Sequence, residues 1–159
     1  MLRPDVRLDS FAQVTPELLK SLGARHVLLD LDDTIVASDR DDLEAGALDA
    51  VHRLRAAGLG VAILSNGTHE RVMRLGKLLD VPGIAMAGKP FAWAFRRALK
   101  LLPGAQPSDT AMVGDQLFTD VLGAKRAGMA TVLVRPLTKG KLPHTRFARR
   151  LERMILEER

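Results

Sequence analysis

An apolar run that ends in three carboxylates and a hydroxyl constrains this chain more than any other feature. The run His26-Val27-Leu28-Leu29 leads into Asp30-Leu31-Asp32-Asp33-Thr34-Ile35-Val36. Val27 to Leu29 reads as a strand buried on both faces, as in a parallel sheet. Open α/β sheets gather their ligands at the carboxyl ends of the strands, and that is where the acids collect. Side chains alternate along an extended strand, so Asp30 and Asp32 are expected to project to one side. Two carboxylates held so close repel, and a hard divalent cation between them, magnesium first, relieves the repulsion. A calcium loop of the EF-hand kind is excluded, because its required Gly and Glu positions hold Ile35 and Asp41. Asp39, Asp41 and Asp42 read as a solvated loop.

The rest of the chain alternates between strands and helices. Residues 1–14 carry no clear period and read as a polar lead-in. Thr15-Pro16-Glu17 is an N-cap followed by Pro at the first helical position, and Gly23 closes the short helix. Leu43, Ala47, Val51 and Leu54 recur at helical spacing up to Gly58. Leu59 to Leu64 is a second buried strand, and a helix follows over about 68–79, with Val72, Leu75 and Leu79 inward. A short third strand is expected at Ile84 to Ala87, then a helix from Phe91 to Leu102. Strand four, Thr110 to Val113, precedes a helix over Leu117 to Ala127. Strand five is Ala130 to Val134, and a last basic helix covers about 146–157. Such alternation predicts a three-layer α/β domain with right-handed crossovers and a parallel, five-stranded central sheet with helices on both faces. One domain is expected over 1–159: lead-in and short helix at 1–24, catalytic core at 25–135 and basic C-terminal helix at 136–159.

Parallel strands share one carboxyl edge, so their polar tips converge. Strand one brings Asp30, Asp32 and Thr34; strand two brings Ser65 and Asn66 at the start of a helix, where free N–H groups favour a phosphate. Lys89 follows strand three, and Asp115 follows strand four, with Asp120 about a turn further on. Acids, a hydroxyl and a lysine on one edge make a set suited to phosphoryl transfer. Taken singly, Ser65 also reads as a cap, Asp115 as a turn and Asp120 as a helix-solvating acid; their joint placement favours a site. Gly83 to Lys89 has the spacing of a nucleotide phosphate loop, but Pro90 stands where Ser or Thr is needed and the intervening residues are strand-like.

Asp30-Leu31-Asp32-Asp33-Thr34, Ser65-Asn66, Lys89-Pro90 and Gly114-Asp115 with Asp120 resemble, in order, the four motifs of the haloacid dehalogenase superfamily. The Asp-x-Asp-x-Thr form is similar to its phosphatases. The resemblance implies a Rossmann-like fold in which Asp30 is the nucleophile that forms an aspartyl-phosphate and Asp32 the acid and base. It further implies that magnesium is held by Asp30, the backbone carbonyl of Asp32 and Asp115, supported by Asp120. Ser65 and Lys89 would take part in catalysis and, with Thr34 and Asn66, bind the phosphoryl group. The intervals from Thr34 to Ser65 and from Ser65 to Lys89 leave no room for a cap domain, so the site is expected to open to solvent. Manganese would suit the same oxygen ligands.

Thr15-Pro16-Glu17-Leu18-Leu19, the stretch Gly114 to Asp120, and Pro136-Leu137 with a basic tail resemble the small bacterial subclass III phosphatases. That branch is similar to the mitochondrial phosphatases of phosphatidylglycerophosphate, which implies a phosphorylated lipid head at an anionic membrane surface as substrate. A soluble sugar or nucleotide phosphate is the alternative substrate, and a low-turnover RNA- or ribosome-binding module the alternative class. A response-regulator receiver is disfavoured, because the metal-binding Asp of strand four comes after Lys89.

Net charge is +5 over 159 residues, which suits an anionic partner. Much of that excess lies in Arg135, Lys139, Lys141, Arg146, Arg149, Arg150 and Arg153, with Glu152 the sole acid among them. Phe147, Leu151, Met154 and Ile155 give the tail an apolar stripe, read as a docked amphipathic helix with a solvated basic face; approach to anionic lipid heads is the sharper alternative. Aromatic residues are too sparse for a nucleic-acid stacking surface. Cysteine is absent, which excludes disulfides and thiolate metal sites. With no membrane-length apolar run and no leader sequence, the expected location is the cytoplasm, peripheral to the membrane if the substrate is lipid.

Overall fold

The computed structural model describes residues 2–138, 150 and 152–154. A six-stranded, wholly parallel sheet runs in the order β1-β6-β5-β2-β3-β4. Its strands are β1 (Val6–Leu8), β2 (His26–Leu29), β3 (Gly60–Leu64), β4 (Gly83–Ile84), β5 (Thr110–Gly114) and β6 (Ala130–Val134). The helices are α1 (Pro16–Ser21), α2 (Ala47–Ala56), α3 (His69–Leu79), α4 (Ala92–Leu99) and α5 (Leu122–Ala127). This is the three-layer Rossmann-like arrangement that the alternation of strands and helices predicts, with a parallel sheet between two layers of helices.

Alternation along the strands sorts the core into two layers. Val27, Leu29, Val61, Ile63, Ala111 and Val113 pack on one face with Leu19 of α1, Val51 and Leu54 of α2, and Val72 and Leu75 of α3. Leu28, Ala62, Leu64 and Met112 point the other way, against Phe95 and Ala98 of α4 and Ala124 of α5. Both faces of β2 are covered, which is why its sequence is continuously apolar rather than alternating. Thr15 caps α1 by accepting from the Leu18 N–H, and Thr68 caps α3 by accepting from Arg71 N–H.

The sheet has six strands where five were expected. β1 lies inside the segment read as a polar lead-in and pairs with β6 along Val6–Val132 and Leu8–Val134. Three residues at a sheet edge, one of them the exposed Arg7, are too few to show a period. The same segment buries Phe11 and Val14 completely. β4 is shorter and earlier than the expected strand from Ile84 to Ala87, because the backbone leaves the sheet at Met86, whose φ is 47°. The helix expected over Leu117 to Ala127 begins as a π-helical turn, Leu117–Val121, before α5. In the tail, residues 150 and 152–154 are helical. Lys139, Lys141, Arg146, Phe147, Arg149, Leu151 and Ile155 lie outside the described residues, and with them most of the basic stripe. Among the described residues, no helix is long and apolar enough to cross a membrane.

Candidate active site

Strand order reverses beside β2: the chain proceeds to β3 and β4 on one side and to β5 and β6 on the other. The carboxyl edge of such a switch point is the usual crevice of an open α/β sheet. Asp30 leaves β2 and Asp115 leaves β5 at this place, and both are buried, at 6% and 2% exposure. One carboxylate oxygen from each of Asp30, Asp115 and Asp120 lies within 4.8 Å of the others. Hard oxygen donors so grouped match the chemistry of magnesium, so the donor set fits the ion that the motifs imply.

Lys89 closes this group from the third motif. Its Nζ donates to Asp30 Oδ1 at 2.9 Å and to Asp120 Oδ1 at 2.7 Å. Burial pulls the ammonium's pKa down, but the adjoining Asp120 and Asp30 carboxylates outweigh it and leave the pKa above the ordinary lysine value. Asp120 goes the other way: burial pushes its carboxyl up to about 6, against the attraction of Lys89. Its second oxygen accepts from Gln116 N–H at 3.1 Å. Gly114 is required here, because a Cβ would collide with the Asp120 carboxylate.

The other expected residues are drawn to the same edge, in parts the sequence does not show. Thr34 is buried and donates to Asp115 Oδ1 at 3.1 Å, so its hydroxyl steadies a carboxylate of the acidic group. Ser65 Oγ accepts from Gly67 N–H at 2.9 Å, which leaves its own proton to donate elsewhere. Asn66 clamps the third motif: its Oδ1 accepts from the N–H groups of Gly88 and Lys89, and its Nδ2 donates to the Lys89 carbonyl. Asp32 is half-buried, and its carboxylate is turned to Arg71, whose Nε donates to it at 2.8 Å. The expected sharing of a cation by the Asp30 and Asp32 side chains is therefore replaced by the grouping of Asp30 with Asp115 and Asp120. Burial raises the Asp32 pKa, Arg71 opposes the rise, and Asp30 adds to it.

Two contributors, Arg71 and Glu152, escape a reading of the motifs, and a third, Asp33 of the first motif, finds partners that its position in the motif does not specify. Arg71 lies in the first turn of α3, just ahead of the inward Val72, and nothing in its spacing signals a role. It also donates to Asp41 and to the carbonyls of Ala37 and Arg40, fastening the loop after β2 to α3. Asp33, at φ 61°, turns away from the acidic group and accepts from Ser38 N–H and the Thr138 hydroxyl. Glu152 is buried and accepts from Leu117 N–H at 2.7 Å and Phe118 N–H at 3.3 Å, at the start of the turn that carries Asp120. A signal for it exists, since it is the one acid among the basic residues from Arg135 to Arg153.

The family model described as haloacid dehalogenase-like hydrolase matches residues 5–128. The "Probable phosphatase YqeG" of Bacillus subtilis is 36% identical over 153 residues, covering 96% of this chain and 88% of that protein. "Phosphatidylglycerophosphate phosphatase 1, chloroplastic/mitochondrial" of Arabidopsis thaliana is 28% identical over 97% of this chain, which spans 47% of that protein's length. Among solved structures, the HAD-hydrolase YfnB of Bacillus subtilis, bound to magnesium, superposes with a TM-score of 0.60 at 16% identity, over 76% of this chain and 91% of that one. That likeness concerns the fold.

Proposed function

The chain belongs to the haloacid dehalogenase-like hydrolases and is a phosphatase, and from that premise we propose that it hydrolyses a phosphomonoester by way of a phosphoryl group carried on Asp30. The observation that carries this reading is the placement of Asp30 at the tip of β2, gripped by Lys89 and within 4.8 Å of the oxygens of Asp115 and Asp120. An Asp30 carboxylate oxygen attacks phosphorus, and the ester P–O bond breaks. Asp32 delivers its proton to the leaving oxygen, then takes a proton from the water that attacks the aspartyl-phosphate and frees Asp30. A carboxyl whose pKa is raised, as that of Asp32 is, gives up a proton closer to neutral pH. Ser65 and the Lys89 ammonium hold phosphoryl oxygens as charge builds on them. Magnesium, held by Asp30, Asp115, Asp120 and the Asp32 carbonyl, would supply further neutralisation of that charge.

The substrate proposed is phosphatidylglycerophosphate or a lipid with a similar head. Two facts support it. The interval from Asp30 to Ser65 holds one loop, α2 and β3, and that from Ser65 to Lys89 holds α3 and β4, so neither interval inserts a cap domain over the edge. A relative matching 97% of the chain is named for that substrate. The test is magnesium-dependent phosphate release from phosphatidylglycerophosphate vesicles, run beside soluble phosphomonoesters. Wild type should release phosphate from the vesicles, and Asp30→Asn should lose at least about a thousandfold of that rate. Release from soluble esters alone would retain the chemistry and discard the lipid.

A further inference from the structure

Beside the catalytic lysine lies an apolar surface that the chemistry does not use. Met86, Phe91 and Trp93 are 75%, 60% and 54% exposed, three of the six large apolar side chains so exposed among the described residues. Phe91 and Trp93 stack with ring centroids 6.3 Å apart and planes 10° from parallel. Met86 adopts the left-handed backbone region, at φ 47°, and its N–H is tied to the Gly67 carbonyl at 2.9 Å. A residue without glycine's freedom held there costs of order 1 kcal/mol, yet the conformation places an apolar side chain in water. The Trp93 ring lies on Gly88, where a Cβ would come within 2.6 Å of it. The aromatic pair therefore sits directly against the loop that delivers Lys89.

Along the chain, the charge that flanks this surface has one sign. From Val81 to Ser108 the chain has no acidic residue. Arg96, Arg97 and Lys100 are exposed on and just after α4, at helical spacings of three, four and seven from Trp93. Helical Cα–Cβ bonds tilt toward the N-terminus, here the catalytic edge. Aromatic and sulfur side chains at a tip, backed by arginines, are the composition that settles into the head-group layer of a membrane.

We propose that Met86, Phe91 and Trp93, backed by Arg96, Arg97 and Lys100, dock this phosphatase on the surface of an anionic bilayer with its open edge against the lipid heads. The purpose of such docking rests on the lipid reading above, but binding is testable without turnover. Trp93 is the only tryptophan in the chain and reports on its own surroundings. The probe is vesicles of phosphatidylcholine alone or mixed equally with phosphatidylglycerol, added to the wild type and to Asp30→Asn.

Both proteins should sediment with the mixed vesicles, with Trp93 emission moving to the blue, and neither effect should occur on phosphatidylcholine alone. Added salt should weaken binding. Phe91→Ser should weaken it roughly fivefold, and Arg96→Gln with Arg97→Gln roughly thirtyfold. Unmoved Trp93 emission on mixed vesicles, or binding that survives both variants, would overturn the docking. So would a blue shift produced by raising protein concentration without vesicles, which would make the patch a contact between copies of the chain. Hydrolysis of vesicle phosphatidylglycerophosphate with Trp93 unmoved would remove the docking and keep the substrate. Docking without hydrolysis would do the reverse.

Discussion

Lys89 and Arg71 each bind a carboxylate of the β2 motif, at 2.9 Å and 2.8 Å, in opposite surroundings. The Lys89 side chain is 2% exposed, and its partners Asp30 and Asp120 are 8% and 1% exposed. Arg71 is 18% exposed, Asp32 36% and Asp41 68%. At the floor, water cannot replace a lost partner; at the rim it can. The floor therefore fixes the geometry of Asp30, the proposed nucleophile, and the acids beside it, whereas the rim holds Asp32, the proposed acid and base, and a loop in a setting that solvent can adjust.

Lys89→Met tests the floor and should have the largest effect. It leaves two enclosed carboxylates without their ammonium, and removal of one partner of a buried pair costs about 3–5 kcal/mol. Urea unfolding in the presence of a chelator should show that loss, and phosphate release should fall by at least about a hundredfold. A variant as stable as wild type without divalent metal would mean that the floor is solvated after all, and the contrast with the rim would collapse.

Arg71→Ala tests the rim. Four contacts are lost, to Asp32, Asp41 and the carbonyls of Ala37 and Arg40, but the groups left behind reach water. Stability should change little, and kcat/KM should fall roughly tenfold, equal to about 1.4 kcal/mol of transition-state stabilisation. Arg71 opposes the burial that raises the Asp32 pKa. Without it the Asp32 pKa rises further, so the limb of the pH–rate profile that follows this group should move to higher pH. An unmoved profile would separate Arg71 from proton transfer and leave it only the loop.

The same division explains what could be read from the chain. Part of the floor was legible because Asp30 ends an apolar strand after Leu29, as the neighbouring Ser65 and Asp115 do after Leu64 and Gly114. Parallel strands bring such ends to one edge whatever the details of packing. Lys89 and Asp120 lie further along the chain from a strand end and were legible through the motifs they resemble. Arg71 was not legible, since one arginine on the polar side of a helix has the same pattern whether it meets solvent or Asp32. Thr34 and Asn66 were placed at the correct edge, but their partners, Asp115 and the Lys89 loop, depend on side-chain directions that spacing does not specify. β1 was missed for a related reason: three residues cannot display a period, and its pairing with β6 joins positions more than a hundred residues apart.

That edge strand supplies the mildest test, a charge clip further from the floor than Arg71. Asp5, just ahead of β1, accepts from the Lys125 ammonium at 2.6 Å and from the Thr131 N–H and hydroxyl at 2.8 and 3.0 Å. Partial burial pushes the Asp5 pKa up, but Lys125 and Thr131 outweigh it and hold the pKa below the usual carboxylate value. A carboxyl depressed on folding contributes stability above its unfolded pKa, near 3.9, and loses it as pH falls through the lower folded value. With side-chain exposures of 25% for Lys125 and 35% for Asp5, solvent screens much of the attraction. Asp5→Asn, which keeps the shape and removes the charge, should cost about 0.5–1 kcal/mol at neutral pH. The melting curves of variant and wild type should then converge as pH drops below about 4. A difference that stayed constant down to acid pH would assign the loss to packing at the β1–β6 edge rather than to the charge of Asp5.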